Sequence, residues 1–542
     1  MEFDDLLAHG GDFHRFQWIL LTLLCVPFCF FVNFSYFGQI FTSLEHDHWC
    51  KVPSLIDAGI SQLIRRNLTS PIEINDDGHE RFSKCKMYDL DYSSFDNGIS
   101  ISNWTALTST ADIVTCKSGW EYDLNGSYST VVSEWDWVCE DNWRSPMAQS
   151  VFFIGGVIGC FFFGFVSDRF GRVPVLILTN ILAAVSGVAT SFSQGFISYT
   201  LFRFFAGLSF DTSFMIYYIL VLEYVSPARR SLVSCISIGI FFCVATSVIP
   251  WIALGIGNWR IFCLVTSAPL FIVIFLWRLL PESARWLLSK GEVKEATRII
   301  ARIAKINGKT LKEAVIQDFE ESTKHDAADR EEKATLFDAL KLPVLRRRIL
   351  LLFCLWFLVS LVYDGHARNT HNFGLNVFWS FSLAAGTELP ASIMLIFLLD
   401  RIGRRWLFFS SLILSGIVSM TSAVVPIGIP VAVLALWGRF FISVAFNIGL
   451  QYAAELFPTS VRGQGIATTH VLGFVANIIS PFVVYLAQWN RILPLLVLGG
   501  TSIVAGFVSL LLPETLEQTL AQTLKEGNEF AVDQPFLYFP CC

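Results

Sequence analysis

The sequence predicts an all-α membrane protein of about twelve spans, built from two similar halves. Two observations carry this. First, apolar stretches long enough to cross a bilayer recur along 542 residues that are 54% hydrophobic and 15% charged, with 50 Phe. A soluble chain of that size needs far more polar surface. Second, charged landmarks repeat at one spacing. Gly164-Phe165-Val166-Ser167-Asp168-Arg169-Phe170-Gly171-Arg172 is echoed by Asp400-Arg401-Ile402-Gly403-Arg404-Arg405, with the aspartates 232 residues apart. Glu223 and Glu455, and Pro281-Glu282 and Pro513-Glu514, keep the same offset.

The spans read in order are 16–38, 146–166, 174–193, 197–220, 231–252, 259–280, 347–366, 374–398, 405–425, 428–452, 465–486 and 492–512. Acidic residues and His, not a basic segment, precede the first span, and no small-residue cleavage site follows it. It therefore reads as a retained helix, not a signal peptide. Arg169, Arg172, Arg229, Arg230, Arg401, Arg404, Arg405 and Arg462 fall in loops on one side, whereas 191–194 and 426–430 carry no Lys or Arg. Positive loops favour the cytoplasm. The expected organisation is a cytoplasmic 1–15, an N-terminal bundle 16–280, a cytoplasmic linker 281–346, a C-terminal bundle 347–512 and a cytoplasmic tail 513–542. Duplicated bundles of this kind are the usual build of solute transporters.

Residues 39–145 form one large external insertion with 17 acidic residues against 8 Lys and Arg. Cys50, Cys85, Cys116 and Cys139 lie in it; in an oxidising compartment they imply two disulfides, with three possible pairings. Asn67, Asn103 and Asn125 head glycosylation sequons, all within this segment. Its negative charge enriches nearby cations, although salt screens that effect within roughly 8 Å.

No phosphate-binding Gly-rich loop, Cys/His metal spacing or nucleophile–base pair is present. An enzyme is not expected, nor is a cofactor, a metal or a nucleic-acid partner; the expected partners are a small organic ion and the lipid bilayer. The remaining cysteines read mostly as small core residues. Cys541-Cys542 is not a prenylation box and reads as an exposed tail.

The repeated signature has a physical reading as a conformational latch. Gly164 and Asp168 are four apart and share a helix face, where Gly lets a neighbouring helix approach. Asp168 then accepts hydrogen bonds from a facing helix N-terminus and pairs with an Arg. The basic residues hold acids such as Glu223. Gly171, Asp400, Arg401, Gly403, Arg404, Glu455 and Arg462 complete the set.

These motifs resemble those of the major facilitator superfamily, as does Pro281-Glu282-Ser283-Ala284-Arg285-Trp286-Leu287. Met1-Glu2-Phe3-Asp4-Asp5-Leu6-Leu7, Gly119-Trp120-Glu121-Tyr122-Asp123, Glu134-Trp135-Asp136-Trp137-Val138-Cys139 and Ala454-Glu455-Leu456-Phe457-Pro458-Thr459-Ser460-Val461-Arg462 narrow the likeness to solute carrier family 22. That family comprises organic cation, carnitine and organic anion transporters. The resemblance implies the major facilitator fold: twelve transmembrane helices in two pseudo-symmetric six-helix halves. It also implies alternating access without covalent chemistry, and a multi-pass place in the plasma membrane.

Ionisable groups inside spans are functional candidates. Asp211, Asp364, Glu388 and Arg439 fall in the fourth, seventh, eighth and tenth spans. By the resemblance, Glu388 matches the family's E-[IL]-P, Tyr363 its cavity tyrosine, and Phe214, Phe446 and Asn447 its cavity positions. Aromatic faces with carboxylates suit a desolvated ammonium, with cation–π attraction worth roughly 0.5–2 kcal/mol. At the eleventh-helix position where cation transporters of the family usually carry Asp, and anion and carnitine relatives Arg, this chain has Phe474. Asp211 lies where many have Lys. Asp364 is four residues from Arg368, so the two also read as a mutual pair; Arg203 and Arg439 read equally as structural groups. Three functions stay open: transport of organic cations or zwitterions such as carnitine-like molecules and biogenic amines; transport of organic anions drawn by His366, Arg368 and Arg439; and a non-transporting receptor of transporter fold.

Overall fold

The computed structural model describes all residues except 1–2, 12, 23–25, 75–79, 93–107, 109, 124–127, 227–228, 230–232, 234–239, 278–279, 329–333, 374, 427, 517, 519, 533, 536–537 and 539–542. Asn103, Asn125, Arg230 and Cys541-Cys542 lie outside the described residues. The chain divides into a helical unit (1–38, 148–252 and 263–542) and an insertion unit (39–147 and 253–262).

The chain opens with α1 (Phe3–Gly11), α2 (Arg15–Leu20) and α3 (Val26–Thr42). It continues through α4 (Arg144–Phe170), α5 (Arg172–Ser191), α6 (Phe196–Glu223), α7 (Cys243–Ile256) and α8 (Trp259–Ser267). The linker holds α9 (Val293–Ile306). The second half contains α10 (Pro343–Arg368), α11 (Val377–Gly386), α12 (Glu388–Ile402), α13 (Arg404–Val424), α14 (Ile429–Leu456), α15 (Arg462–Tyr485) and α16 (Ile492–Ser509). Nine described helical stretches are long and apolar enough to cross a membrane, and shorter apolar ones cover 240–256 and 259–275.

Among the described residues, two expected spans are broken, each at a proline. After α8 the chain passes through a 3₁₀ turn at Ala268–Ile272, where Pro269 cannot donate to the helical ladder. The expected 374–398 span is two helices, α11 and α12, meeting at Thr387. Pro390 cannot return a hydrogen bond to residue 386, so the ladder restarts and Glu388 falls in a first turn, where the helix dipole favours a carboxylate.

Close helix approach fixes α4 against α6. A Cβ on Gly159 or Gly207 would overlap the backbone carbonyl of Leu208 or Phe152. Thr212 also donates to the Gly159 carbonyl at 3.4 Å. The N-terminal segment docks on the linker: Leu6 and Leu7 are buried, and Asp4 pairs with Arg285. Asn307 Nδ2 donates to the Gly10 carbonyl at 3.2 Å and its Oδ1 accepts from the Phe16 N–H at 2.9 Å.

The insertion unit is stapled by Cys50–Cys116 and Cys85–Cys139, one of the three possible pairings. Among the described residues, three two-stranded antiparallel sheets form: β1 (His48–Cys50) with β6 (Trp120–Tyr122), β2 (Ile72–Ile74) with β3 (Glu80–Phe82), and β4 (Lys86–Tyr88) with β5 (Ile113–Thr115). Sheet β1–β6 sets Cys50 opposite Trp120, four residues past Cys116. Residues 253–262 belong to this unit, which the sequence reading had assigned to the bundle. The joining contacts include hydrogen bonds from the Trp259 indole (2.7 Å) and Arg260 Nε (3.1 Å) to the Glu134 carboxylate. Burial pulls the His46 and His48 imidazoles below their ordinary range. Asn67 is exposed on its helix.

Candidate functional site

The duplicated signature builds two matching helix caps. Glu282 Oε1 accepts the Arg172 N–H at 2.8 Å and Oε2 accepts the Val173 N–H at 3.1 Å. In the second half, Glu514 Oε1 and Oε2 accept the Arg404 and Arg405 N–H groups at 2.9 and 3.0 Å. Each carboxylate thus satisfies unpaired donors at the positive end of α5 or α13. Gly171 (φ +105°) and Gly403 (φ +91°) make the sharp turn into these helices. A Cβ at Gly171 would come within 2.5 Å of Glu282 Oε2.

The acceptors for the α5 and α13 N-termini are the two Pro-Glu carboxylates. Asp168 and Asp400, 78% and 77% exposed, pair with Arg172 and Arg404 at 2.8 and 2.9 Å. Gly164 faces open space, so its small size serves no close contact in this conformation. Arg169 lies over the Phe170 ring. Arg404 reaches Glu455 at 3.2 Å, and Arg462 Nε donates to the Phe457 carbonyl. Glu223, half-buried, lies within electrostatic reach of Arg172 and Arg285.

Because the cap contacts are buried and the Asp168 and Asp400 pairs are exposed, their removal should differ. Glu514→Ala is expected to lower the melting temperature of the purified protein clearly, by roughly 1–3 kcal/mol of stability. Asp400→Ala should cost less than about 1 kcal/mol. Equal shifts in a thermal melt would refute the cap assignment.

Of the in-span candidates, Glu388 and Arg439 fall in one network and Asp364 in a second, whereas Asp211 lies apart from both, beside Cys160. In the first, Glu388 Oε1 accepts from Tyr363 Oη (2.7 Å), Arg439 Nη2 (2.9 Å) and Ser443 Oγ (2.9 Å). Among the described residues no hydrogen bond is found to Oε2. Arg439 also donates to the Tyr363 carbonyl at 2.6 Å and sits 3.8 Å from the centroid of that ring. Tyr363 also stacks on Phe446 at 4.2 Å, and Phe446 in turn meets Trp356 at 4.9 Å. Asn447 donates to the Ser443 carbonyl. Arg439, Ser443 and Asn447 share one face of α14 at four-residue spacing.

In the second network, Asp364 Oδ2 takes Arg368 Nε at 2.6 Å, and its Oδ1 accepts from Tyr36 Oη at 2.7 Å. Arg368 Nη1 reaches Gln149 Oε1 at 2.6 Å and its guanidinium lies over Phe153. This network joins the two halves, with Tyr36 on α3 and Gln149 on α4 against α10. Further bridges run from Ser150 to the Ile478 carbonyl (2.6 Å) and from the Trp251 indole to Ser382 (3.0 Å). All lie toward the helix ends away from 168–172 and 400–405.

Phe474 packs against Phe153 and Phe210, each at 6.4 Å between centroids, across the halves. Phe214 sits apart from these networks, with Tyr217, Tyr218 and Phe242. His366 is buried against Ser419 Oγ at 3.1 Å. Sequence reasoning missed Tyr36, Trp356, Gln149 and Ser443. Only Ser443 carried a signal, its one-turn spacing from Arg439.

Residues 107–525 match the family described as sugar (and other) transporter. The chain is 30% identical to mouse solute carrier family 22 member 21, over 97% of its own length and 93% of the relative's. It belongs to solute carrier family 22 of the major facilitator superfamily. This solute carrier family 22 chain is also 30% identical to the carcinine transporter of Drosophila melanogaster, covering 100% of this chain and 81% of that one. The organic cation transporter protein of the same fly is 31% identical, covering 98% and 95%. The fold matches the inward open conformation of the xylose transporter XylE from E. coli, with a TM-score of 0.56 and 17% identity over 73% of this chain and 92% of that one. The family is one of transporters, not enzymes, which imply a small organic substrate and a lipid surround.

Proposed function

We propose that this solute carrier moves small organic cations or zwitterions by alternating access across the plasma membrane, with both termini and the 281–346 linker in the cytoplasm. The observation that carries this reading is Glu388: a carboxylate with one oxygen saturated by three donors and the other without a described hydrogen bond, beside the Tyr363–Phe446 stack. An ammonium group would pair with that oxygen, with the aromatic side chains beside it. Relatives named for carcinine and for organic cations support the same class.

The anion alternative is disfavoured by the same geometry. Arg439 and Arg368 are each bound to a carboxylate, and His366 is buried against Ser419. The sites proposed for substrate are Tyr363, Glu388, Phe446 and Asn447, with Phe474 and Phe214 lining the path. The proposed latch is the set around Asp168, Arg172, Asp400 and Arg404, released here, since the bridges between halves gather at the opposite end. On this reading the conformation is the inward-facing one. The insertion is proposed to be extracellular and glycosylated at Asn67, Asn103 or Asn125.

Uptake in expressing cells of tetraethylammonium, carnitine and an aromatic monocarboxylate tests the class. Uptake of the first or second is expected. Transport of the monocarboxylate alone would replace this reading with the anion one.

A further inference from the structure

We propose that Asp211, with Cys160 and His470, is a proton-binding site split between the two halves, through which the chain exchanges a proton for its cation. The inference rests on the transport reading above.

Asp211 lies in the middle of α6 and is nearly buried. The other in-span carboxylates, Asp364 and Glu388, each hold an arginine. Asp211 has no arginine or lysine among the described ion pairs; its Oδ2 accepts from the Cys160 thiol at 3.0 Å, a weak donor. Among the described residues, the one basic group that interacts with it electrostatically is His470 on α15.

The packing explains the convergence. Phe474 on α15 rests on Gly156 of α4 and against Phe210 of α6. Cys160 is one turn beyond Gly156, His470 is one turn before Phe474, and Asp211 follows Phe210. Because α4 and α15 run in opposite directions, both one-turn steps lead toward the 168–172 end, so the three side chains form the layer beneath the Phe cluster. Among the described residues, the titratable groups facing Asp211 are Cys160 from α4 and His470 from α15. Arg203, two turns away on α6, donates to the Ser35 carbonyl and lies over Phe152. Tyr36 on α3 is engaged by Asp364. His470 itself faces Asp211 and the Trp356 ring.

A carboxylate without a fixed counter-charge inside a membrane holds either a proton or a cation. Asp211 and Cys160 are locked together by the α4–α6 contact, whereas His470 belongs to the other half. Rocking the halves changes the Asp211–His470 separation, so proton affinity differs between the inward and outward states. That difference is the requirement for coupling. The step is a proton transfer alone: an O–H bond of hydronium on one side breaks as the Asp211 O–H bond forms, and on the other side the Asp211 O–H bond breaks as its proton passes to water, while one organic cation crosses the opposite way.

The full-length protein in liposomes gives two readouts. Infrared difference spectra on acidification should contain a protonated-carboxyl band that vanishes in Asp211→Asn, returns in Asp211→Glu and shifts in His470→Gln. An interior acidified by about one pH unit, worth about 1.4 kcal/mol per proton, should drive tetraethylammonium about tenfold above its gradient-free level. Asp211→Asn should lose that response whatever its gradient-free rate. Wild-type uptake that ignores the gradient, or a gradient response intact in Asp211→Asn, would overturn the inference while leaving cation transport standing. Liposomes that move no tetraethylammonium or carnitine at all would overturn the transport reading and the coupling with it.

Discussion

Arg368→Met is expected to cut the yield of folded protein sharply, and Asp364→Asn combined with Arg368→Met to recover most of it. The single change strands Asp364, which is 1% exposed, with the Tyr36 hydroxyl as its remaining described partner. Removing one member of a buried ion pair costs about 3–5 kcal/mol, most of it the penalty of the charge left behind. Replacing both members with groups of similar shape removes that penalty. Thermal stability and monodispersity of the purified variants should therefore give a double-mutant coupling of about 2 kcal/mol or more. Additive effects would mean that the two side chains act independently and that Asp364 is available to substrate. The double variant should also shift the conformational balance. With Tyr36, Gln149, Asp364 and Arg368 no longer tying α3 and α4 to α10, the far ends of the halves separate more readily. A cysteine placed at Gln149 should then react faster with a water-soluble thiol reagent.

Much of this architecture was legible because the chain repeats it. The 232-residue offset of Pro281-Glu282 and Pro513-Glu514 is the offset of Arg172 and Arg404, and each glutamate caps the helix that its arginine begins. What the offset did not disclose is which acid does the capping. Asp168 and Glu282 are far apart in sequence, and the choice between them is made by tertiary packing. The same limit applies to the disulfides: four cysteines allow three pairings, and pairing β1 with β6 brings Cys50 toward Cys116. Breaks in apolar spans escaped hydropathy because a proline changes hydrogen bonding without changing polarity. Glu388 and Tyr363 were legible through short motifs. Their partner Arg439 was visible only as an intramembrane charge of unassigned role, and Cys160 and His470 carried no pattern, since each is a single residue on a different helix.

Glu388→Gln is expected to abolish cation uptake, but for two reasons that a second variant separates. The glutamine keeps the size of the side chain and leaves Arg439, 5% exposed, without its counter-charge. Part of the loss should therefore appear as less protein at the surface, again on the scale of a broken buried pair, about 3–5 kcal/mol. Arg439 retains its bond to the Tyr363 carbonyl, which moderates the cost. In Glu388→Gln with Arg439→Gln, both charges are gone, and surface protein should return toward the wild-type level. Uptake of tetraethylammonium per surface molecule should not return, because the oxygen that faces the ammonium has lost its charge. Arg439→Gln alone is the complementary case: it removes the competing positive charge from Glu388 and should tighten cation binding in whatever fraction folds, lowering the apparent KM. If the double variant recovers uptake together with protein, Glu388 serves only to hold Arg439 and the α10–α12–α14 contact, and the cation must be recognised elsewhere. If it recovers protein but not uptake, the carboxylate acts on the substrate itself, and Tyr363 and Phe446 form the aromatic wall of that contact.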